Sequence, residues 1–80
     1  MIDLAKRDLA RRKGVPIEEI TVVRVEERDW PDTSLGCPQP GMMYAQVITP
    51  GYLIVLSHGG QTYEYHTDRS QSVVLCERRR

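Results

Sequence analysis

The chain has 80 residues, and its eleven basic and eleven acidic side chains give a formal net charge of zero. A domain of this size builds only a small hydrophobic core, which by itself leaves roughly 3–5 kcal/mol of stability. The balanced charge predicts neither a basic field that gathers nucleic acid nor an acidic field that gathers cations.

The N-terminal segment predicts a helix followed by a strand. Apolar residues recur there at helical spacing: Ile2, Ala5 and Leu9. Gly14 is placed to end this helix. Residues 15–19 then form a tight connection, and the β-branched residues 20–27 predict a strand.

Residues 30–41 predict a shaped loop, because they contain three prolines, two glycines and one cysteine. Proline fixes φ and removes a backbone donor, while glycine reaches conformations closed to other residues. Cys37 has one possible partner in the chain, Cys76. A disulfide between them would tie the loop to the last strand and, in the loop-entropy view, stabilise the fold by roughly 4 kcal/mol.

The second half of the chain predicts hairpins. Apolar runs over residues 42–49, 52–58 and 61–66 are separated by Pro50-Gly51 and Gly59-Gly60, and a last strand is expected over residues 72–77. Two-residue turns would pair Thr49 with Tyr52 and His58 with Gln61. One side of the sheet would then carry Ala45, Val47, Ile54, Leu56, Tyr63 and Tyr65.

These elements predict a single α+β domain over residues 1–80. Its N-terminal helix should pack on one face of an antiparallel meander of about five strands, with one disulfide.

One cysteine and histidine set could in principle hold a metal: Cys37, Cys76, His58 and His66. Its spacing lacks the paired ligands of zinc sites, which favours a disulfide and two surface histidines. Met42 and Met43 beside Cys37 suggest a copper site by ligand softness, but methionines at a strand start are more often gap fillers. We therefore expect no metal and no cofactor.

A catalytic hypothesis would make Cys37 a thiolate nucleophile, His66 its base and Asp68 the residue that orients the base. An eighty-residue domain with few apolar residues has little room for a walled, water-excluding pocket. We therefore expect a protein that is not an enzyme.

The loop is the candidate interaction surface. Trp30 could anchor its base or face a partner as a hot spot. The predicted binding residues are Trp30, Leu35, Gln39, Met42 and Gln46. The favoured function is presentation of this loop to a protein or ligand partner. The alternative is a protease inhibitor that uses residues 35–40, since a rigid loop lowers the entropic cost of binding.

Several short motifs extend over nearly the whole chain. They are Trp30-Pro31-Asp32, Ser34-Leu35-Gly36-Cys37-Pro38-Gln39-Pro40-Gly41, Tyr44-Ala45-Gln46, Pro50-Gly51-Tyr52, Tyr63-Glu64-Tyr65-His66-Thr67 and Val74-Leu75-Cys76. Together they resemble a group of small uncharacterised bacterial domains that occur in exported or lipoprotein-like chains. The resemblance implies an exported domain with Cys37 paired to Cys76, and it brings no assigned activity. A much weaker likeness compares residues 46–51 with the hairpin loop of cystatins.

Compartment and partners follow from the cysteines and the charge. Disulfides persist in oxidising compartments, so we expect an extracytoplasmic domain: periplasmic, secreted or at the cell surface. No apolar segment here is long enough for a membrane span or typical of a signal peptide. Any targeting segment or membrane tether would lie outside this chain. We expect a monomer that binds a protein, possesses no nucleic-acid site and ends in a solvated tail, Arg78-Arg79-Arg80.

Overall fold

A computed structural model describes residues 1–76 of the chain. The chain begins with helix α1 and a short 3-10 turn, η1, and continues into four β-strands. The bounds are α1 Ile2–Lys13, η1 Ile17–Glu19, β1 Thr21–Trp30, β2 Thr49–His58, β3 Gln61–Asp68 and β4 Val73–Leu75. The predicted last strand reached Glu77, and both that residue and the arginines at 78–80 lie outside the described residues.

Helix α1 ends where the sequence predicts. Gly14 adopts a left-handed conformation, with φ of 67°, and its N–H donates to the Ala10 carbonyl at 2.8 Å. Basic residues occupy the last turn, where they interact favourably with the negative end of the helix dipole. The helix has only 12 residues, and the described part of the chain contains no helix suited to crossing a membrane.

The four strands form one antiparallel sheet in the order β1-β2-β3-β4. His58 pairs with Gln61 across the β2–β3 turn, as the sequence predicts. Side chains alternate between the two faces of the sheet. One row across the helix side contains Val25, Ile54, Tyr65 and Leu75, and the row beside it on the other side contains Glu26, Leu53, His66 and Val74.

The main core lies on the helix side of the sheet. Its buried residues are Ala5, Leu9, Ile20, Ile54, Leu56 and Tyr65. The Tyr65 hydroxyl donates to the Asp8 carboxylate at 2.8 Å, which joins β3 to α1. Burial, together with this carboxylate, raises the pKa of Tyr65. Burial opposes ionisation of Asp8, but hydrogen bonds from Arg12 and Tyr65 outweigh it and lower the pKa of Asp8.

The prediction of about five strands is wrong. Among residues 1–76 the sheet has four, because residues 42–48 form no strand. Pro50 and Gly51 do not make a turn; they lie inside β2, and Thr49 pairs with Trp30 of β1 instead of Tyr52. A Cβ at Gly51 would lie in collision with the Thr67 carbonyl oxygen. Glycine is therefore needed there for close strand approach, a role that the sequence pattern does not distinguish from a turn.

Candidate functional site

Residues 31–48 form the candidate site, which we call the anchored loop. They join the end of β1 to the start of β2 without a helix or strand of their own. Loops of this length inside a small domain are commonly functional. The contacts at the base of the loop determine whether its residues have a defined geometry.

Trp30 ends β1 and supports the base of the loop. Its indole ring stacks on the His66 imidazole with 4.3 Å between ring centres and 15° between planes. The indole N–H donates to the Thr67 carbonyl at 2.9 Å, so the side chain reaches over β2 to β3. Trp30 is buried, which leaves little of it for a partner to contact.

His66 fastens the loop from below, with only 5% of its surface exposed. Its Nδ1 lies 2.6 Å from the Leu35 carbonyl oxygen, and its Nε2 lies 2.6 Å from the Glu64 carboxyl group. A carbonyl oxygen can only accept, so Nδ1 carries a proton. The contact of Nε2 with Glu64 holds the other edge of the ring, so the imidazole is fixed from two sides.

The loop backbone turns sharply above this imidazole. Leu35 and Gly36 both adopt positive φ, at 60° and 73°. A Cβ on Gly36 would approach the Trp30 ring to 2.8 Å, so the loop lies directly on the indole. Leu35 is a residue in which positive φ is costly, and its burial with Trp30 and Leu53 offsets that cost.

The burial of Leu35 corrects the sequence analysis. Leu35 was predicted to contact a partner, but its side chain is only 3% exposed and lies in the small core on the loop side of the sheet. It holds the loop down instead of projecting from it.

The predicted disulfide between Cys37 and Cys76 is present in the structure, with 5.8 Å between the two Cα atoms. It fixes the loop one residue beyond Gly36. The Cys76 N–H also donates to the Glu64 carbonyl at 2.9 Å, so the far end of the bridge is held to β3. The imidazole, the indole and the disulfide therefore fasten neighbouring residues of one short segment.

Hydrogen bonds connect the two halves of the loop. The Thr33 N–H donates to the Ala45 carbonyl at 3.1 Å, and the Ala45 N–H donates to the Thr33 hydroxyl at 2.9 Å. The Gln39 N–H donates to the Tyr44 hydroxyl at 3.0 Å. Asp32 accepts from the backbone and the hydroxyl of Ser34, the shaping role expected of a short polar turn residue.

The outer part of the loop exposes large apolar side chains. These are Met42 at 62%, Met43 at 95%, Val47 at 58% and Ile48 at 70% exposure, and we call them the loop apolar set. Two other predicted binding residues, Gln39 and Gln46, are also exposed. Of the five predicted binding residues, three are therefore accessible to a partner, whereas Trp30 and Leu35 are not.

The catalytic trio is not assembled. The Cys37 sulfur is bonded to Cys76, which removes the thiolate nucleophile. The Asp68 carboxylate accepts backbone N–H groups from the turn that follows it, and His66 contacts Glu64 instead. Burial disfavours the charged form of Asp68, but those backbone hydrogen bonds outweigh it and lower the pKa of Asp68.

The two histidines that were weighed as metal ligands and set aside lie at different places in the fold. His58 contacts Glu19 at 3.2 Å near the β2–β3 turn, while His66 lies under the loop. Within residues 1–76, no three side chains of the metal-binding types form a cluster that could hold an ion.

Sequence comparison adds a family. Residues 2–76 match DUF8738, described as a domain of unknown function. The chain belongs to this family. No curated protein and no solved structure matches the chain. The family match supports the resemblance to a small uncharacterised domain. The likeness to cystatins gains no support, because the hairpin on which it rested is replaced by the continuous strand β2.

The contacts of His66 were not predicted from the sequence. A contact with Asp68 was expected instead, because His66 and Asp68 are separated by one residue in an extended segment. The same alternation places Glu64 on that face, two residues earlier, and the structure uses this pair. No sequence pattern indicates that His66 stacks on Trp30, because this contact depends on the pairing of β1 with β2.

Proposed function

We propose that this domain is a non-enzymatic binding module that presents the outer part of the anchored loop to a partner protein outside the cytoplasm. The observation that carries the proposal is the loop apolar set: Met42, Met43, Val47 and Ile48. Four large apolar side chains are exposed on one segment whose base is fixed by a disulfide and a buried imidazole.

Exposure of apolar groups has a cost in water that burial against a partner removes. Each fully buried Met, Val or Ile side chain contributes about 1.5–3 kcal/mol relative to exposure. A segment already held in shape loses less conformational entropy when it binds than a free one does. The fixed base and the apolar exterior of this loop therefore favour the same role, and they favour an apolar surface on the partner.

Polar groups on the loop can fix the orientation of a bound partner through hydrogen bonds. Gln39 and Gln46 are exposed and each carries both donor and acceptor atoms. Interfaces commonly combine an apolar centre with a polar rim. We assign the loop apolar set to the centre and the two glutamines to the rim.

The disulfide supports the compartment in the proposal. Such bonds are rare in reducing cytosol and persist in the periplasm, at the cell surface and in secreted proteins. The Cys37–Cys76 bridge is therefore compatible with an extracytoplasmic domain.

The experiment is affinity capture with matched variants, followed by binding measured with the purified partner. Met43→Lys and Ile48→Lys replace exposed apolar groups on the loop by charges. Val23→Lys makes the same change at an exposed position on β1, outside the loop. We expect the two loop variants to weaken binding at least tenfold and to unfold at the wild-type temperature, while Val23→Lys binds normally.

Two outcomes would contradict the proposal. One is a partner whose affinity is unchanged by both loop variants, which would place the binding surface elsewhere. The other is equal loss of binding in Val23→Lys, which would show that added positive charge, and not the loop, causes the effect.

Protease inhibition is a narrower form of this proposal. A loop fastened beside a disulfide keeps its ends together when attacked, and Pro38, Gln39 and Pro40 are exposed next to Cys37. At micromolar concentration the protein should then slow at least one enzyme in a panel of serine and cysteine proteases and remain uncut. Prompt cleavage within residues 38–43, or no inhibition, would leave the plain binding module.

A further inference from the structure

Strand β1 is one outer edge of the sheet. The strand order places β2 on one side of it, and no described strand pairs with its other side. It is ten residues long, whereas β4 at the opposite edge has only three. A long unpaired edge presents backbone donors and acceptors that can add another strand.

The residues near the middle of β1 alternate in chemistry. Arg24, Glu26 and Arg28 pair with residues of the loop-side face, and Glu26 contacts both arginines, at 2.8 and 2.7 Å. The hydrogen bond from Arg28 lowers the pKa of Glu26, against a small effect of burial. Val25 projects to the opposite face and is 42% exposed.

We propose that β1 pairs with β1 of a second copy of this chain, antiparallel, with Val25 opposite Val25 around a two-fold axis. The partner is a second copy because the charge pattern of the strand is complementary to itself. In this register each Arg24 lies opposite Glu26 of the other copy, so two cross-strand ion pairs flank the central valines. Opposite charges in such positions stabilise a sheet and like charges destabilise it.

Neighbouring registers place like charges opposite each other. A shift by two residues in one direction places Arg24 opposite Arg24. A shift by two in the other direction places Glu26 opposite Glu26 and Arg24 opposite Arg28. A shift by four pairs Glu26 with Arg28 of the other copy, but it places Glu27 opposite Glu27 at the centre. The side-chain faces must also match in an antiparallel pair, which excludes shifts by one residue.

The contact should be modest in strength. A register irregularity lies between Val22 and Arg24, so the regular part of the edge begins near Arg24. One added strand pair buries a small area, typical of weak complexes with dissociation constants of roughly 10 µM to 1 mM. The sequence alone predicts a monomer. With a contact this weak, the protein is a monomer at low concentration and a dimer only at high concentration.

Sedimentation equilibrium of the intact, oxidised protein tests the pairing. The average mass should rise towards that of a dimer as concentration rises from about 1 µM to about 1 mM. Arg24→Glu and Glu26→Arg should each weaken the dimer at least tenfold, because each places like charges opposite one another. The double variant Arg24→Glu/Glu26→Arg restores opposite charges and should recover the wild-type dissociation constant.

The double variant also reports the register, since pairing of Glu26 with Arg28 of the other copy would not be restored by it. A wild-type protein that stays monomeric at about 1 mM would overturn the proposal and leave the edge to a strand of another protein. A double variant no better than the single ones would also overturn it.

A second pair of variants separates this contact from folding and from the loop. Val25→Lys places two ammonium groups opposite each other at the centre and should abolish the dimer. Met43→Lys adds the same charge on the anchored loop and should leave the dimer intact. Circular dichroism melts show whether each variant folds. Dimerisation that is lost equally in both variants would contradict the assignment to β1.

Discussion

The base of the loop cannot accommodate a side chain at the position of Gly36. Its positive φ disfavours any other residue, and a Cβ would meet the Trp30 ring at 2.8 Å. Gly36→Ala should therefore reduce the free energy of unfolding by about 2–4 kcal/mol, from backbone strain and overpacking together. Chemical denaturation of the oxidised protein measures this change.

Gly41 provides the matched control. Its φ is similar, at 77°, but a Cβ added there would have no neighbouring atom within 4 Å. Gly41→Ala should have only the backbone cost, about 1 kcal/mol. Equal effects of the two substitutions would show that the loop does not rest on the indole.

The ionised Asp68 carboxylate makes the stability of the fold depend on pH. Burial opposes its ionisation, but backbone N–H groups of Ser70, Ser72 and Gln71 lower its pKa below the ordinary value of 3.8. A pKa that is lower in the folded state contributes stability above the unfolded value, and that stability disappears as pH falls through the folded value. Asp68→Asn should therefore be less stable than wild type at pH 7, and the difference should shrink below about pH 4.

Thermal melts of both proteins from pH 7 to pH 2 measure this dependence. The control is Asp29→Asn, because Asp29 is an exposed carboxylate of β1. If the difference in melting temperature between wild type and Asp68→Asn stays constant down to pH 2, the charge of Asp68 does not contribute to stability.

At the scale of elements, the disulfide determines how firmly the anchored loop is joined to the end of the sheet. The two cysteines are 39 residues apart in sequence, and the loop-entropy relation gives about 4 kcal/mol for a ring of this size. The double variant Cys37→Ser/Cys76→Ser should then melt at least ten degrees lower, at roughly 4–8 °C per kcal/mol. Differential scanning calorimetry with and without reductant gives the comparison.

Reductant should lower the melting temperature of wild type towards that of the double variant, and it should leave the variant unchanged. If the double variant has the same melting temperature as wild type, the imidazole and indole contacts hold the loop without the disulfide.

The elements also show what the sequence could and could not predict. Helix α1, its end at Gly14 and the turn between β2 and β3 follow from local periodicity and turn residues, and the structure has them. Residues 42–48 have the apolar character of a strand but form none. Pro50-Gly51 suggested a turn because its real role, close approach of β2 to β3, depends on the neighbouring strand.

In the candidate site, too, some contacts could be predicted from the sequence and others depend on neighbouring strands. The Cys37–Cys76 pairing was predictable because each cysteine had a single possible partner. The packing of Leu35 on Leu53 and the stacking of Trp30 on His66 were not, since these pairs lie 18 and 36 positions apart in sequence and only the sheet brings them together. The disulfide could be assigned from the sequence because its partner was unique, whereas contacts between distant residues with many possible partners could not.

In the whole molecule, the loop-side face of the sheet divides into a fixed base and an accessible exterior. Trp30, Leu35 and His66 form the base, and the loop apolar set forms the exterior. A binding surface with defined geometry requires that the base stay ordered in solution without a partner.

Backbone ¹⁵N relaxation of the oxidised, unbound protein tests this requirement most directly. Among the loop amides that donate hydrogen bonds in the structure, five serve as probes: Thr33, Leu35, Cys37, Ala45 and Val47. Their order parameters should be close to those of β2 and β3, at about 0.85. Values below about 0.6 at these amides would contradict the proposed binding role of the loop, because the loop would then be mobile and not held in shape for a partner.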